Sequence, residues 1–181
     1  LYTTQALARA AQEGGAVIET FREAIGIECS SDHQRVTAVQ TAQGRIPAGN
    51  VVIAAGAWSG QVASTIKLDV PISPRKGTLV VTAPLPEAYF SCKIILAAGY
   101  MDSVREGASS GVAVAANVQQ VKNGNLILGS SRQFVGFDAS VDPAVVSNMM
   151  KRNLRFFPDL ANVTAIRTWA GFRPYTPDLL P

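Results

Sequence analysis

The 181-residue chain is 48% apolar and 16% charged, a balance that allows a sizeable buried core and excludes a disordered polar chain. Its net charge of +3 is scattered: Arg22, Arg35, Arg45, Lys67, Arg75 and Lys76 form no run longer than two, which argues against a nucleic-acid-binding stripe. Cys29, Cys92 and the single histidine, His33, lack metal-ligand spacing or a nucleophile–base arrangement, and no apolar run approaches the length of a membrane span.

Thr3-Thr4 are suited to cap a helix over roughly residues 5–13, with Leu7, Ala10 and Ala11 on one face and Gly14-Gly15 as its stop. Ala16 to Glu19 then reads as a strand. Residues 24–29 and 35–41 alternate around the polar turn Ser30-Ser31-Asp32-His33-Gln34, the pattern of a hairpin, and Gln43-Gly44-Arg45 turns the chain again. Val51 to Gly56 is apolar without alternation, which is how a strand buried on both faces of a helix-covered parallel sheet reads.

The character changes near residues 68–74, where two prolines mark the expected module boundary. Residues 77–82, 111–121 and 125–129 are alternating or β-branched, separated by turns such as Lys122-Asn123-Gly124, and predict a mostly antiparallel sheet. Asp142-Pro143 starts a helix whose Val145, Val146, Met149, Met150 and Leu154 recur at helical spacing until Pro158 stops it. A last strand over about 165–169 leads into Gly171-Phe172-Arg173-Pro174.

With no Ser-His-Asp set, informative carboxylate pair or metal cluster, hydrolytic chemistry has little support, and cofactor-borne chemistry remains. Two stretches bear on it. In Val52 to Ser59, small residues follow an apolar run, so the backbone either approaches something bulky or packs a helix closely on a strand. In Trp169 to Asp178, an arginine sits among aromatic, small and proline residues. Its planar fork suits a substrate carboxylate, or a structural pair with a carboxylate such as Asp178.

Taken in order, several segments resemble the D-amino-acid oxidase superfamily of flavoproteins, in the branch of glycine oxidase, sarcosine oxidase β-subunits and D-amino-acid dehydrogenases. They are the first helix with Gly14-Gly15-Ala16, the hairpin, Val51 to Ser59, Pro74-Arg75-Lys76-Gly77-Thr78-Leu79, Asn123 to Arg132, Val135-Gly136-Phe137-Asp138 and Trp169 to Pro181. The resemblance implies a mixed α/β and α+β architecture, with part of a Rossmann-like FAD-binding domain of glutathione-reductase type joined to a mostly antiparallel-sheet substrate domain. The expected division is 1–70 for the partial FAD-binding domain, 71–165 for the substrate domain and 166–181 for a segment returning toward the first.

The resemblance also implies FAD as cofactor, with Ala24, Ala54, Ala55, Gly56 and Trp58 against it. Arg173 corresponds to the arginine that holds the substrate carboxylate, and Arg132 to a sheet residue facing the substrate side of the flavin. Tyr100 or Tyr175 is a candidate to close the pocket. The family usually has valine where Ala24 stands and glycine after the aspartate matching Asp178, where this chain has Leu179. The implied activity is oxidation of the C–N bond of a small amino or imino acid by hydride transfer to flavin. The alternatives are a non-catalytic flavoprotein-like subunit or scaffold, and an oxidase of amines lacking a carboxylate. An oligomer or partner subunit is compatible with these features, and the expected location is the cytoplasm, with membrane association through a partner as the variant.

The family's opening strand, G-x-G-x-x-G turn and acidic ribose ligand have no match here, so the sequence reads as an internal portion of a longer protein. The expectation is that this chain by itself binds FAD weakly or not at all, because the helix start that holds the pyrophosphate is missing. A flavin absorbance band that stays with the 181 residues through gel filtration contradicts that expectation.

Overall fold

The computed structural model describes residues 2–86, 89–90, 94–97 and 111–179, which divide into two compact units. The first comprises residues 2–54 and 61–70; the second comprises 55–60 and the described residues from Pro71 onward. Among the described residues no helix is long and apolar enough to cross a membrane.

In the first unit, helix α1 (Tyr2–Glu13) begins ahead of the expected Thr3-Thr4 cap. It ends in a Schellman motif, in which the Ala16 amide donates to Ala11 O at 2.9 Å and the Gly15 amide to Gln12 O at 3.0 Å. Gly15 takes φ +92, which a side chain would strain. The expected apolar face is not buried: α1 contains no buried residue and Leu7 is exposed. Strands β1 (Ala24–Cys29), β2 (Val36–Thr41) and β3 (Gly44–Pro47) form an antiparallel meander in that order, as the alternation predicted. Its first turn is closed by the Ser30 amide on Arg35 O at 2.8 Å and the Gln34 amide on Asp32 Oδ1 at 3.1 Å. Across the strands, Glu28 accepts from Arg45 Nε at 2.6 Å and Gln40 Nε2 at 2.9 Å, bonds that hold its carboxyl below the usual range.

Two expected strands are absent. Residues 16–19 and 51–55 belong to no ladder, and Val17 and Val52 are 84% and 88% exposed. A buried parallel strand requires a hydrogen-bonded neighbour on each side, and these segments have none among the described residues. From Val52 the chain runs into a 3₁₀ turn, Gly56–Trp58, and the short helix α2 (Ser59–Ser64).

The second unit is built on a five-stranded antiparallel sheet in the order β5-β6-β7-β4-β8, from β4 (Ser73–Thr82), β5 (Ile94–Leu96), β6 (Val112–Gln120), β7 (Leu126–Gln133) and β8 (Ala165–Tyr175). Helix α3 (Pro143–Phe156) covers one face. Asp142 caps it by accepting from the Ala144 amide at 2.8 Å, and Pro143 starts it with a φ already suited to a helix. The predicted stripe faces the core: Met149 packs with Val80, Val118, Leu126, Leu128 and Leu160, flanked by Val146, Met150 and Leu154. Among aliphatic side chains, full burial is worth about 1.5–3 kcal/mol each, so this cluster is the main source of the unit's stability. Asn153 is buried at the same boundary, its amide donating to Gly129 O at 3.2 Å and Met149 O at 2.9 Å.

The last strand is longer than predicted. Instead of stopping near Trp169 it continues through Arg173-Pro174 to Tyr175, paired with β4 throughout. Pro174 is tolerated because β8 is an edge strand, where a missing N–H need not break a ladder.

Lys76 is almost fully buried on β4 and reaches the loop after β7, donating to Asp138 Oδ2 at 3.2 Å and Ser140 O at 3.1 Å. Asp138 also accepts from the Ser140 amide at 2.9 Å and the Ser140 hydroxyl at 2.8 Å. These bonds, Ser140 first and Lys76 after it, lower the Asp138 carboxyl from 3.8 to about 2. A depressed carboxylate stabilises the fold above its unfolded value and ceases to do so as pH falls through the folded one. The Tm difference between wild type and Asp138→Asn is therefore expected to be constant above about pH 4 and to shrink between about pH 4 and 2. Thermal melts across that range check it; a difference that does not change with pH contradicts the assignment.

Candidate functional site

The face of the sheet opposite α3 is set by β4 alternation. Val80 points into the core, so Leu79, Gly77 and Arg75 point the other way. Their register partners on β8 are Trp169, Gly171 and Arg173. The side-chain-free pair Gly77 and Gly171 leaves a bare patch next to the directly paired arginines, between them and Leu79–Trp169. Arg173 folds across that patch: a Cβ built on Gly77 would lie 2.2 Å from Arg173 Nη1, while Nη1 donates to Ser131 O on β7 at 3.3 Å.

Arg132, the next residue on β7, lies on this face as well. Gln133 is paired with Lys76, whose side chain points to the other face, so the preceding residue points toward Arg75 and Arg173. Arg75 and Arg132 are both buried, whereas Arg173, on the edge strand, is exposed. Two rings hold Arg75, with its guanidinium carbon 5.4 Å from the centroids of both Phe134 and Tyr175, which themselves meet edge-on at 4.9 Å. Burial lowers the Arg75 pKa first, then the like charge of Arg132; Tyr175 opposes this and Arg173 adds to it. The three guanidinium groups thus act on one another, and together they form a cationic face suited to binding anions.

Among the residues expected at the flavin, Ala24 opens β1 in register with Thr41 and is exposed, and Ala54 is exposed on the extended segment of the first unit. In the second unit, Ala55 leads into the 3₁₀ turn, and Gly56 has φ +55 with open space where a Cβ would stand. Trp58 stacks on Phe137 with centroids 5.3 Å apart and meets Phe172 edge-on at 6.0 Å; Phe137 and Phe172 are 5.3 Å apart. This aromatic trio, each contact worth about 0.5–1.5 kcal/mol, fastens residues 55–60 to the sheet unit. Tyr100 lies outside the described residues. Tyr175, considered as a pocket residue, is engaged with Arg75. Sequence reasoning gave Arg75 and Gly77 no role; Pro74-Arg75-Lys76-Gly77 was a motif, but nothing local shows that position 75 pairs with 173 across the sheet.

The profile of the FAD dependent oxidoreductase family matches residues 2–181. The chain belongs to that family. It is similar to glycine oxidase of Pseudomonas putida, at 29% identity over 147 residues, which is 81% of this chain and 35% of that protein. Among solved structures, glycine oxidase from Geobacillus kaustophilus superposes with a TM-score of 0.76 at 26% identity, covering 98% of this chain and 42% of that one. L-proline dehydrogenase from P. horikoshii gives 0.79 at 24% identity, with 97% and 44% covered. The chain thus spans well under half the length of these relatives, and its architecture is that of the family's fold: a portion of the FAD-binding domain with the antiparallel-sheet domain.

FAD is the family's cofactor, and the residues present fit a flat ring system. Gly56 is exposed, and the open space where its Cβ would stand lets a planar group lie on backbone. The guanidinium of Arg173 rests on Gly77 in the same way, and this contact is directly testable. Gly77→Ala drives a methyl into the far end of a flexible side chain, so stability should move by no more than about 1 kcal/mol while Arg173 is lifted from the sheet. Dicarbonyl labelling of arginine, mapped by mass spectrometry, should then rise at Arg173; unchanged labelling contradicts the contact.

Proposed function

We propose that the complete protein oxidises the C–N bond of a small amino or imino acid, with Arg173 holding the substrate carboxylate. The observation that carries this reading is the Arg173 guanidinium laid across Gly77 and tied to Ser131 O, beside two further arginines on one sheet face. A side chain fixed at both ends in this way is ready to grip a carboxylate without much further loss of conformational freedom. FAD, when bound, supplies the acceptor for the hydride that leaves Cα.

The chain's own contribution is positional. Arg173 turns the substrate so that Cα presents its hydrogen in one direction, and such placement can be worth several kcal/mol, up to about 7–11 in well-oriented reactions. Arg132 lies beside it on the same face, and Ala24, Ala54, Ala55, Gly56 and Trp58 are the proposed cofactor-side residues. No side-chain acid or base is required when the amine arrives unprotonated. Tyr100, outside the described residues, stays a proposed pocket residue from the sequence alone. The glycine oxidases among the relatives support an amino-acid substrate.

Replacing Arg173 by alanine in the full-length protein removes one partner of the charge pair. Because Arg173 is exposed in this chain, the loss should fall toward the low end of about 2–5 kcal/mol, roughly 30-fold or more in kcat/KM. Flavin content should be retained, and lysine should recover only part of the loss, since a point charge lacks the planar two-bond grip. Near-normal efficiency on amino acids in a flavin-loaded Arg173→Ala protein contradicts the reading. Good turnover of simple amines with poor turnover of amino acids in the wild type favours an amine substrate instead, and a full-length protein that never takes up flavin favours a scaffold.

A further inference from the structure

The ladder between β4 and β7 loses register next to the candidate site. Lys76 faces Gln133 and Val80 faces Leu128, so the three residues 77–79 of β4 stand against the four residues 129–132 of β7. An extra residue of this kind takes backbone groups out of the regular ladder and re-aims them, and such bulges recur beside functional sites. Ser131 lies inside the bulge and bonds with two of its oxygens. Its hydroxyl accepts from the fully buried Thr78 amide at 2.9 Å, and its carbonyl accepts from Arg173 Nη1 at 3.3 Å across Gly77.

The two bonds are coupled because they belong to one residue. Without the hydroxyl, the Thr78 amide is a buried donor that must find another oxygen, and the carbonyls of the bulge are the nearest kind on offer. A β7 carbonyl drawn into the β4 ladder shifts the peptide groups on which Arg173 rests. We propose that Ser131 is the positioning residue for Arg173: its hydroxyl holds the β7 bulge in the arrangement that turns its carbonyl toward the guanidinium. The inference rests on the reading of Arg173 as the holder of the substrate carboxylate and adds the residue that aims it. Ser131 itself touches no reacting atom. Its neighbour supplies the contrast: Ser130 is also buried, at 2% exposure against 0%, but its hydroxyl has no hydrogen-bond partner among the described residues. Of two adjacent buried serines, only one carries an oxygen that the bulge uses.

The test uses the flavin-containing full-length protein. Ser131→Ala should lower kcat/KM by about tenfold, and Ser130→Ala, the same deletion one residue away, by less than about twofold. In an Arg173→Ala background, Ser131→Ala should cost less than about twofold more, since a residue that acts through Arg173 has nothing left to position. Dicarbonyl labelling of Arg173, mapped by mass spectrometry, should rise in Ser131→Ala and stay at the wild-type level in Ser130→Ala. Ser131→Thr, which keeps an acceptor in place, should return the labelling to that level. Equal losses from the two serines, full additivity with Arg173→Ala, or unchanged labelling in Ser131→Ala overturns the proposal. A crystal structure of the wild type decides the matter even if Ser131→Ala does not fold: both Ser131 bonds are expected in it, and the loss of either one overturns the proposal. Near-normal kcat/KM in Arg173→Ala sinks the carboxylate reading alone, and the labelling then still judges whether Ser131 positions the guanidinium.

Discussion

The long antiparallel pairing of β4 with β8 is the constraint on which the candidate site depends. It runs from Ser73 opposite Tyr175 to Val81 opposite Arg167 without a break, and so fixes Arg75 beside Arg173 and Gly77 beside Gly171. A one-residue slip of β8 along β4 would turn Arg173 to the α3 side, where Val80 and Leu128 pack against Met149, and would part it from Arg75. The apolar core on one face therefore enforces the cationic arrangement on the other. Core packing and site geometry are two consequences of one alternation.

The bare Gly77–Gly171 pair shows how backbone can serve a charged side chain. A strand glycine has no side chain to contribute to packing and weakens a sheet modestly, about 0.5–1 kcal/mol relative to alanine by its conformational freedom. Here it opens the space in which the Arg173 guanidinium can lie flat and reach Ser131 O on the second strand away. Arg75 is organised differently, by the rings of Phe134 and Tyr175. One cation is steadied by backbone and another by aromatic faces, and both belong to the same sheet. The trio of Trp58, Phe137 and Phe172 works beside them, drawing residues 55–60 into the sheet unit although their neighbours in sequence on either side belong to the other.

Much of the fold was legible from local pattern. The hairpin of β1 and β2 and the turn into β3 follow from alternation and polar turn residues, and α3 follows from Asp142-Pro143, a 3.6-residue apolar period and Pro158. These signals act over a few residues, which is the range over which sequence pattern is physically informative. The extended segments at 16–19 and 51–55 have strand-like composition but no ladder among the described residues, because a strand exists only through its neighbours. The end of β8 differs for the converse reason: the local pattern ends the strand near Trp169, and the continuous partner β4 carries it past Gly171 and Pro174 to Tyr175.

The sequence by itself determined the family, the antiparallel sheet with its covering helix, and the candidacy of Arg173, since each rests on residue types at short spacing or on ordered motifs. Only the tertiary structure decided that Arg75 and Arg132 share a face with Arg173, that Gly77 lies under its guanidinium, and that Tyr175 is engaged with Arg75. Those neighbours come from three strands separated by 40 residues or more between successive arginines, 75 to 132 and 132 to 173. Nothing local couples them; the pairing register does, and it is chosen by the burial of Val80, Leu128 and Met149 on the opposite face.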